Sequence, residues 1–151
     1  MADVLRFDNI VAKYKLEKIK TIGDAYMVAT GIPAPCPDHV EAAARVALAF
    51  RDEMALRIAP DGQPLRVRIG MHTGPVVAGV IGSSKFTYDL WGDTVNTASR
   101  MESHGVNGEI HVTGAVYERL RDRYTFEERG EVKIKGIGAM RTYFLTGAAP
   151  D

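Results

Sequence analysis

The chain has 151 residues, 46% of them hydrophobic, and its 19 Lys and Arg balance 19 Asp and Glu for a formal net charge of zero. That profile is one soluble globular domain, long enough to bury a core without disulfides or structural metal. It argues against a general nucleic-acid-binding surface. It also excludes an intrachain disulfide, because Cys36 is the single cysteine, and a bilayer-spanning helix, because no apolar run approaches the roughly 20 residues one needs.

In chain order, Val4, Leu5, Phe7, Ile10 and Val11 recur at helical spacing and predict an amphipathic helix over 2–14. Asp3 and Arg6 sit inside this pattern, which lacks the basic start and apolar stretch of a signal peptide. With one cysteine suited to a reducing compartment, a cytoplasmic location is expected for the domain, whatever anchors a parent protein. The β-prone runs 18–22 and 25–30 flank Gly23-Asp24 and predict a tight hairpin. Pro33, Pro35 and Pro37 interrupt regular structure, after which Asp38 is placed to cap a helix from 39 to about 58. Val40, Ala44, Ala47, Leu48 and Met54 would form its core-facing stripe.

Residues 65–71 alternate Leu65, Val67, Ile69 and Met71 with Arg66, Arg68 and Gly70, the pattern of a half-buried strand, and 76–81 predict another. Phe86 and Tyr88 read as extended, Gly92 as a turn, and Asp93 as the cap of a helix through Arg100. A strand at 110–112, a helix over 113–120, a strand near 124–128 and a last strand at 140–145 complete the series. Interspersed strands and helices without a repeat or a dividing linker give one α/β or α+β domain with a mainly antiparallel or mixed sheet.

Three stretches carry candidate chemistry. Asp24 at a hairpin tip, four residues after Lys20, is a plausible Mg²⁺ ligand, although the spacing alone fits an ordinary turn aspartate as well. Asn96 and Arg100, one turn apart on a predicted helix, present an amide and a planar fork suited to phosphate oxygens; alone they equally describe a solvated helix face. Val95 and Ala98 belong to the core side of that helix. Lys133-Ile134-Lys135-Gly136-Ile137-Gly138 combines ammonium groups with flexible backbone that can approach a polyphosphate. His39, His72, His104 and His111 lack local metal-ligand spacing and are assigned structural or surface roles, and Cys36 has no nucleophile signature.

The words EKIKTIGDAYMVATG (17–31) and YDLWGDTVNTASRMES (88–103), the 67–82 run and the Lys135-Gly136 turn together resemble the class III nucleotidyl cyclase catalytic domain over nearly the whole chain. The flavour is that of bacterial, actinobacterial-type adenylate cyclases. The resemblance implies an α+β, ferredoxin-like cyclase fold, with a mainly antiparallel sheet flanked by helices. It implies that Asp24 holds Mg²⁺ or Mn²⁺, two ions being bound in the intact family site. By the same resemblance Lys20 and Asp89 select adenine, Asn96 and Arg100 orient the ribose and stabilise charge on the α-phosphate, and Lys135 contacts the terminal phosphates. The implied activity is conversion of ATP to cyclic AMP by a homodimer with composite sites at its interface, with no nucleic-acid partner.

The family pattern begins with a strand whose Phe-x-Asp word supplies the first metal aspartate, and Asp3, Asp8 and Glu17 do not lie in such a word. The chain is therefore expected to be N-terminally incomplete, lacking the first strand. Ile137 also stands where many relatives carry a second basic residue. The alternative is a non-catalytic nucleotide-binding or dimerisation module of the same family. An RNA-binding ferredoxin-like domain is disfavoured by the neutral charge and the lack of interleaved aromatics.

Overall fold

The computed structural model describes residues 17–22, 25–30, 38–56, 62, 67–75, 77–81 and 87–149. The predicted helix over 2–14, the hairpin tip Gly23-Asp24 and the proline-rich segment with Cys36 lie outside the described residues. Eight strands and three helices are described: β1 (Glu17–Ile22), β2 (Ala25–Ala29), α1 (His39–Ala55), β3 (Ile69–Met71), β4 (Val77–Ile81), β5 (Thr87–Trp91), α2 (Asp93–Ser103), β6 (Ile110–Thr113), α3 (Gly114–Leu120), β7 (Tyr124–Ile134) and β8 (Gly138–Ala148). Strands pair in the orders β1-β2, β4-β5 and β3-β6-β8-β7. The β3–β6 pair is parallel and the others are antiparallel, so the class is α+β with a mixed, mainly antiparallel sheet.

β6 is the spine of the four-stranded sheet, and all four of its residues are buried. Strand alternation sends Ile110 and Val112 to one face, where they meet Val40, Ala44 and Ala47 of α1, Val116 and Leu120 of α3, Tyr124 and Leu145. His111 and Thr113 face the other side. There His111 meets the α2 carbonyl of Met101, and Thr113 meets His72 through a 2.7 Å Oγ1–Nδ1 hydrogen bond. The apolar stripe expected on α1 is found at Val40, Ala44, Ala47 and Met54, with Leu48 packed partly against it; Ala42, Val46 and Phe50 are buried as well, so the apolar face is wider than a stripe.

Several expectations change in detail. β7 and β8 are 11 residues each, far longer than predicted. Glu127, Glu128, Glu131 and Lys133 hide β7 in the sequence. As an edge strand it tolerates charge on its exposed face, and there charge discourages pairing with other chains. Of the strand predicted over 65–71, Leu65 and Arg66 lie outside the described residues, Val67 and Arg68 are not in a strand, and β3 pairs with β6 from Ile69↔Ile110. Before that the chain meets the 106–109 turn through Gly108 N–H to the Val67 carbonyl at 2.7 Å. Asp93 does not cap α2. It is a first-turn residue, and Gly92 at φ 111° is the N-cap, a left-handed-side conformation that side-chain-bearing residues rarely adopt. Asp38 stands at the N-cap of α1 without a side-chain cap bond; its Oδ2 instead accepts from Arg45 at 3.4 Å.

α2 lies directly on β3. A Cβ at Gly70 would fall 2.7 Å from Cα of Glu102 and nearer still to its amide nitrogen. Because both obstacles are backbone, Gly70→Ala should destabilise the domain by about 3 kcal/mol. A urea-unfolding midpoint unchanged by this substitution would contradict the contact.

Candidate functional site

β1 and β2 close at Ile22↔Ala25, so two residues, Gly23 and Asp24, join them as the sequence predicted. A one-residue irregularity between Lys18 and Lys20 sets them opposite the consecutive residues Val28 and Met27. β1 packs beside β5, which brings the strand bearing Lys20 against the strand bearing Asp89. Asp89 stands opposite Gly79 of β4. Two residues beyond it, β5 ends, and Gly92 turns the chain into α2.

α2 carries Asn96 and Arg100. Its start is held by Asn96 N–H to the Gly92 carbonyl at 3.1 Å and by the Thr94 hydroxyl to the Pro75 carbonyl at 2.5 Å. Its end is held by the Arg68–Glu102 ion pair at 2.5 Å and by His111 on the Met101 carbonyl at 2.9 Å. Asn96 is exposed and Arg100 half-buried, and no side-chain partner holds either among the described residues. Both are thus free to take a ligand. Val95 and Ala98, expected in the core, are half-buried.

Lys135 occupies the β7–β8 turn, which Gly136 at φ 80° and the Ile137 N–H to Ile134 carbonyl bond close. The Lys135 side chain is exposed, and a surface depression is lined by Lys133, Lys135, Gly136 and His104. The backbone N–H of Lys135 donates to Nε2 of His104, the C-cap of α2, at 3.3 Å. Lys20, Asp89, Asn96, Arg100 and Lys135 therefore sit on elements joined in sequence or in contact, whereas Asp24 lies outside the described residues. Among the described residues no three His, Cys, Asp or Glu side chains form a metal-ligand group. Among the described residues no helix is long and apolar enough to cross a membrane.

Sequence reasoning did not join His104, His111 and Arg129, which meet behind α2. The available signal was His111 between Ile110 and Val112, a histidine within an apolar strand. Burial pushes the His72 and His111 imidazoles below the ordinary value of 6.5; for His111 the Arg129 and His104 charges add to this against the Met101 carbonyl. A lowered folded value means that the neutral ring contributes stability fully present above pH 6.5 and lost as pH falls through the folded values. The thermal midpoint should hold steady from about pH 8 to 6.5 and fall on further acidification, and a midpoint flat to pH about 5 would contradict neutral burial.

The sequence matches the family described as the adenylate and guanylate cyclase catalytic domain over residues 3–147. It is 52% identical over 141 residues to an adenylate cyclase of Mycobacterium tuberculosis, covering 93% of this chain and 32% of that protein. The chain thus spans about a third of the length of this curated relative. The fold superposes on the guanylate cyclase domain of RhGC from Catenaria anguillulae in complex with GTP with a TM-score of 0.90 at 36% identity, covering 98% of this chain and 81% of that one. It superposes on the adenylyl cyclase CyaB from P. aeruginosa with a TM-score of 0.87 at 27% identity, covering 99% and 81%.

Proposed function

The chain belongs to the adenylate and guanylate cyclase catalytic domain family, and we propose on that premise that it is an adenylate cyclase catalytic domain, a single lyase domain converting ATP to 3′,5′-cyclic AMP and pyrophosphate for second-messenger signalling in the cytoplasm. The observation that carries the choice of ATP is the Lys20/Asp89 pair on the packed strands β1 and β5. Adenine offers an acceptor at N1 and an amino donor at N6, which an ammonium donor and a carboxylate acceptor complement; guanine offers the reverse.

Asn96 would orient the ribose so that its 3′-oxygen faces the α-phosphorus. Arg100, a fork without an internal partner among the described residues, would bind the α-phosphate oxygens as charge accumulates on them. Lys135 would hold the terminal phosphates that leave as pyrophosphate. The new bond is 3′-O to α-phosphorus, the broken one joins the α-phosphorus to the bridging oxygen, and the 3′-hydroxyl proton is lost to solvent. This family uses divalent metal ions, and the hard carboxylate of Asp24 suits Mg²⁺ or Mn²⁺ completed by phosphate oxygens and water. Such an ion supplies charge neutralisation and acidifies the attacking hydroxyl.

Lys20 and Asp24, near neighbours in sequence, would serve opposite sites of a homodimer. Asp24 of one protomer would face the nucleotide held by Lys20, Asp89, Asn96, Arg100 and Lys135 of the other. The deciding assay follows product from ATP and from GTP with Mn²⁺ or Mg²⁺. Cyclic AMP from ATP is expected. Cyclic GTP-derived product in preference would overturn the adenine assignment, and nucleotide binding without product would leave the non-catalytic module.

A further inference from the structure

Arg129, His104 and His111 have no part in the reaction outlined above, yet they join three elements. His111 is fully buried on β6, and its Nδ1 lies 2.9 Å from the Met101 carbonyl oxygen in the last turn of α2. A carbonyl only accepts, so Nδ1 carries the hydrogen and Nε2 is the acceptor. That acceptor stands 3.3 Å from Nη1 of Arg129 on β7, and the same nitrogen donates to the His104 carbonyl at 2.6 Å. The Arg129 guanidinium also lies 5.4 Å from the ring centroid of Phe144 on β8. His104 in turn accepts from the Lys135 N–H through its ring. The hydrogen bonds thus run from the Met101 carbonyl through His111 on β6 and Arg129 on β7 back to the carbonyl of His104, whose ring meets the turn that presents Lys135.

We propose that Arg129 is a positioning residue that locks the end of α2 to the β7–β8 hairpin through His104 and His111, and so fixes Arg100 relative to Lys135 across one nucleotide. The proposal rests on the roles given to Arg100 and Lys135 above. The last carbonyls of a helix have no partner within it, so an untied end frays, and Arg100 immediately precedes the tied residue Met101. The α-phosphate and the terminal phosphates belong to one short chain, so the two cations must keep their separation. A misplacement of about 1 Å is enough to cost on the order of a hundredfold in rate. The charged or titratable groups facing His111 are Arg129 from β7 and His104 from the end of α2. A proton on His111 would remove the acceptor and oppose the Arg129 guanidinium.

The test uses the whole chain, with amide hydrogen exchange and cyclic AMP kinetics measured together. Arg129→Met should raise exchange about tenfold or more both at 101–105 and at 133–138, and lower kcat about tenfold with KM changed less than about threefold. His111→Gln presents a donor and an acceptor as the neutral ring does but takes no proton. It should keep wild-type exchange and rate near neutral pH and lose part of the wild-type rate decline between about pH 7 and 5.5. His104→Ala, at a half-exposed site, should loosen 133–138 while leaving 101–103 protected. Faster exchange in only one segment of Arg129→Met, or in neither, would overturn the proposal, as would His111→Gln behaving like Arg129→Met. Should Arg129→Met fail to fold, unchanged exchange at 133–138 in His104→Ala overturns it instead. A wild-type chain that makes no cyclic nucleotide refutes the function above, and the exchange data still judge the lock.

Discussion

Replacing Arg100 with alanine is expected to slow cyclic AMP formation by about 10²–10³-fold, the loss that follows removal of a donor aimed at charge developing in a transition state. The structure supplies the reason why this loss should be clean. Arg100 is half-buried on α2 and bound to no acid among the described residues, so its guanidinium has no structural bond to surrender. Stability should change by no more than about 0.5 kcal/mol, as for surface substitutions remote from packing. Arg100→Lys keeps the charge without the planar fork and should recover only part of the rate. The proposed composite sites add a second measure. Mixing equal amounts of Arg100→Ala and Asp24→Asn chains should restore about a quarter of wild-type activity, since half of randomly assorted dimers are mixed and each has one intact site of two. An Arg100→Ala rate within tenfold of wild type would remove this residue from the reaction, and a mixture no better than its parts would remove the shared site.

The double substitution Lys20→Glu with Asp89→Cys should reverse the base preference, lowering the ratio of ATP to GTP turnover by at least about a hundredfold. Lys20 and Asp89 stand on β1 and β5, strands in contact with each other, and are proposed to read one base edge between them. Exchanging an ammonium donor for a carboxylate acceptor, and a carboxylate for a thiol that can donate, presents guanine with the partners its O6, N1 and N2 groups require. Each single substitution should lower ATP turnover without conferring the GTP turnover of the double variant, because it leaves one polar group unmatched against either base. Retention of ATP preference by the double variant would show that the base is read elsewhere.

Much of the fold was legible because short-range rules act on contiguous residues. Ile22 and Ala25 pair across Gly23-Asp24 as the turn chemistry predicts, and the β5–Gly92–α2 sequence of strand, turn and helix is found where the pattern changes period. What was misread depended on neighbours. The edge position of β7 permits the charges that disguised it, and the 106–109 turn shortens β3 by occupying its backbone before Ile69.

By itself, the sequence determined the family, the order of elements and the types of polar residue on each element, because donors, acceptors and hydrophobic periods are properties of single residues or of neighbours a few positions apart. The tertiary structure alone decided that β1 lies against β5, that α2 rests on Gly70, and that Arg129 reaches both His104 and His111. Those relations join residues 18 to 69 positions apart, counted from His111–Arg129 and Lys20–Asp89. Chain segments so distant acquire a fixed distance only when the sheet order β3-β6-β8-β7 and the burial of β6 hold them there.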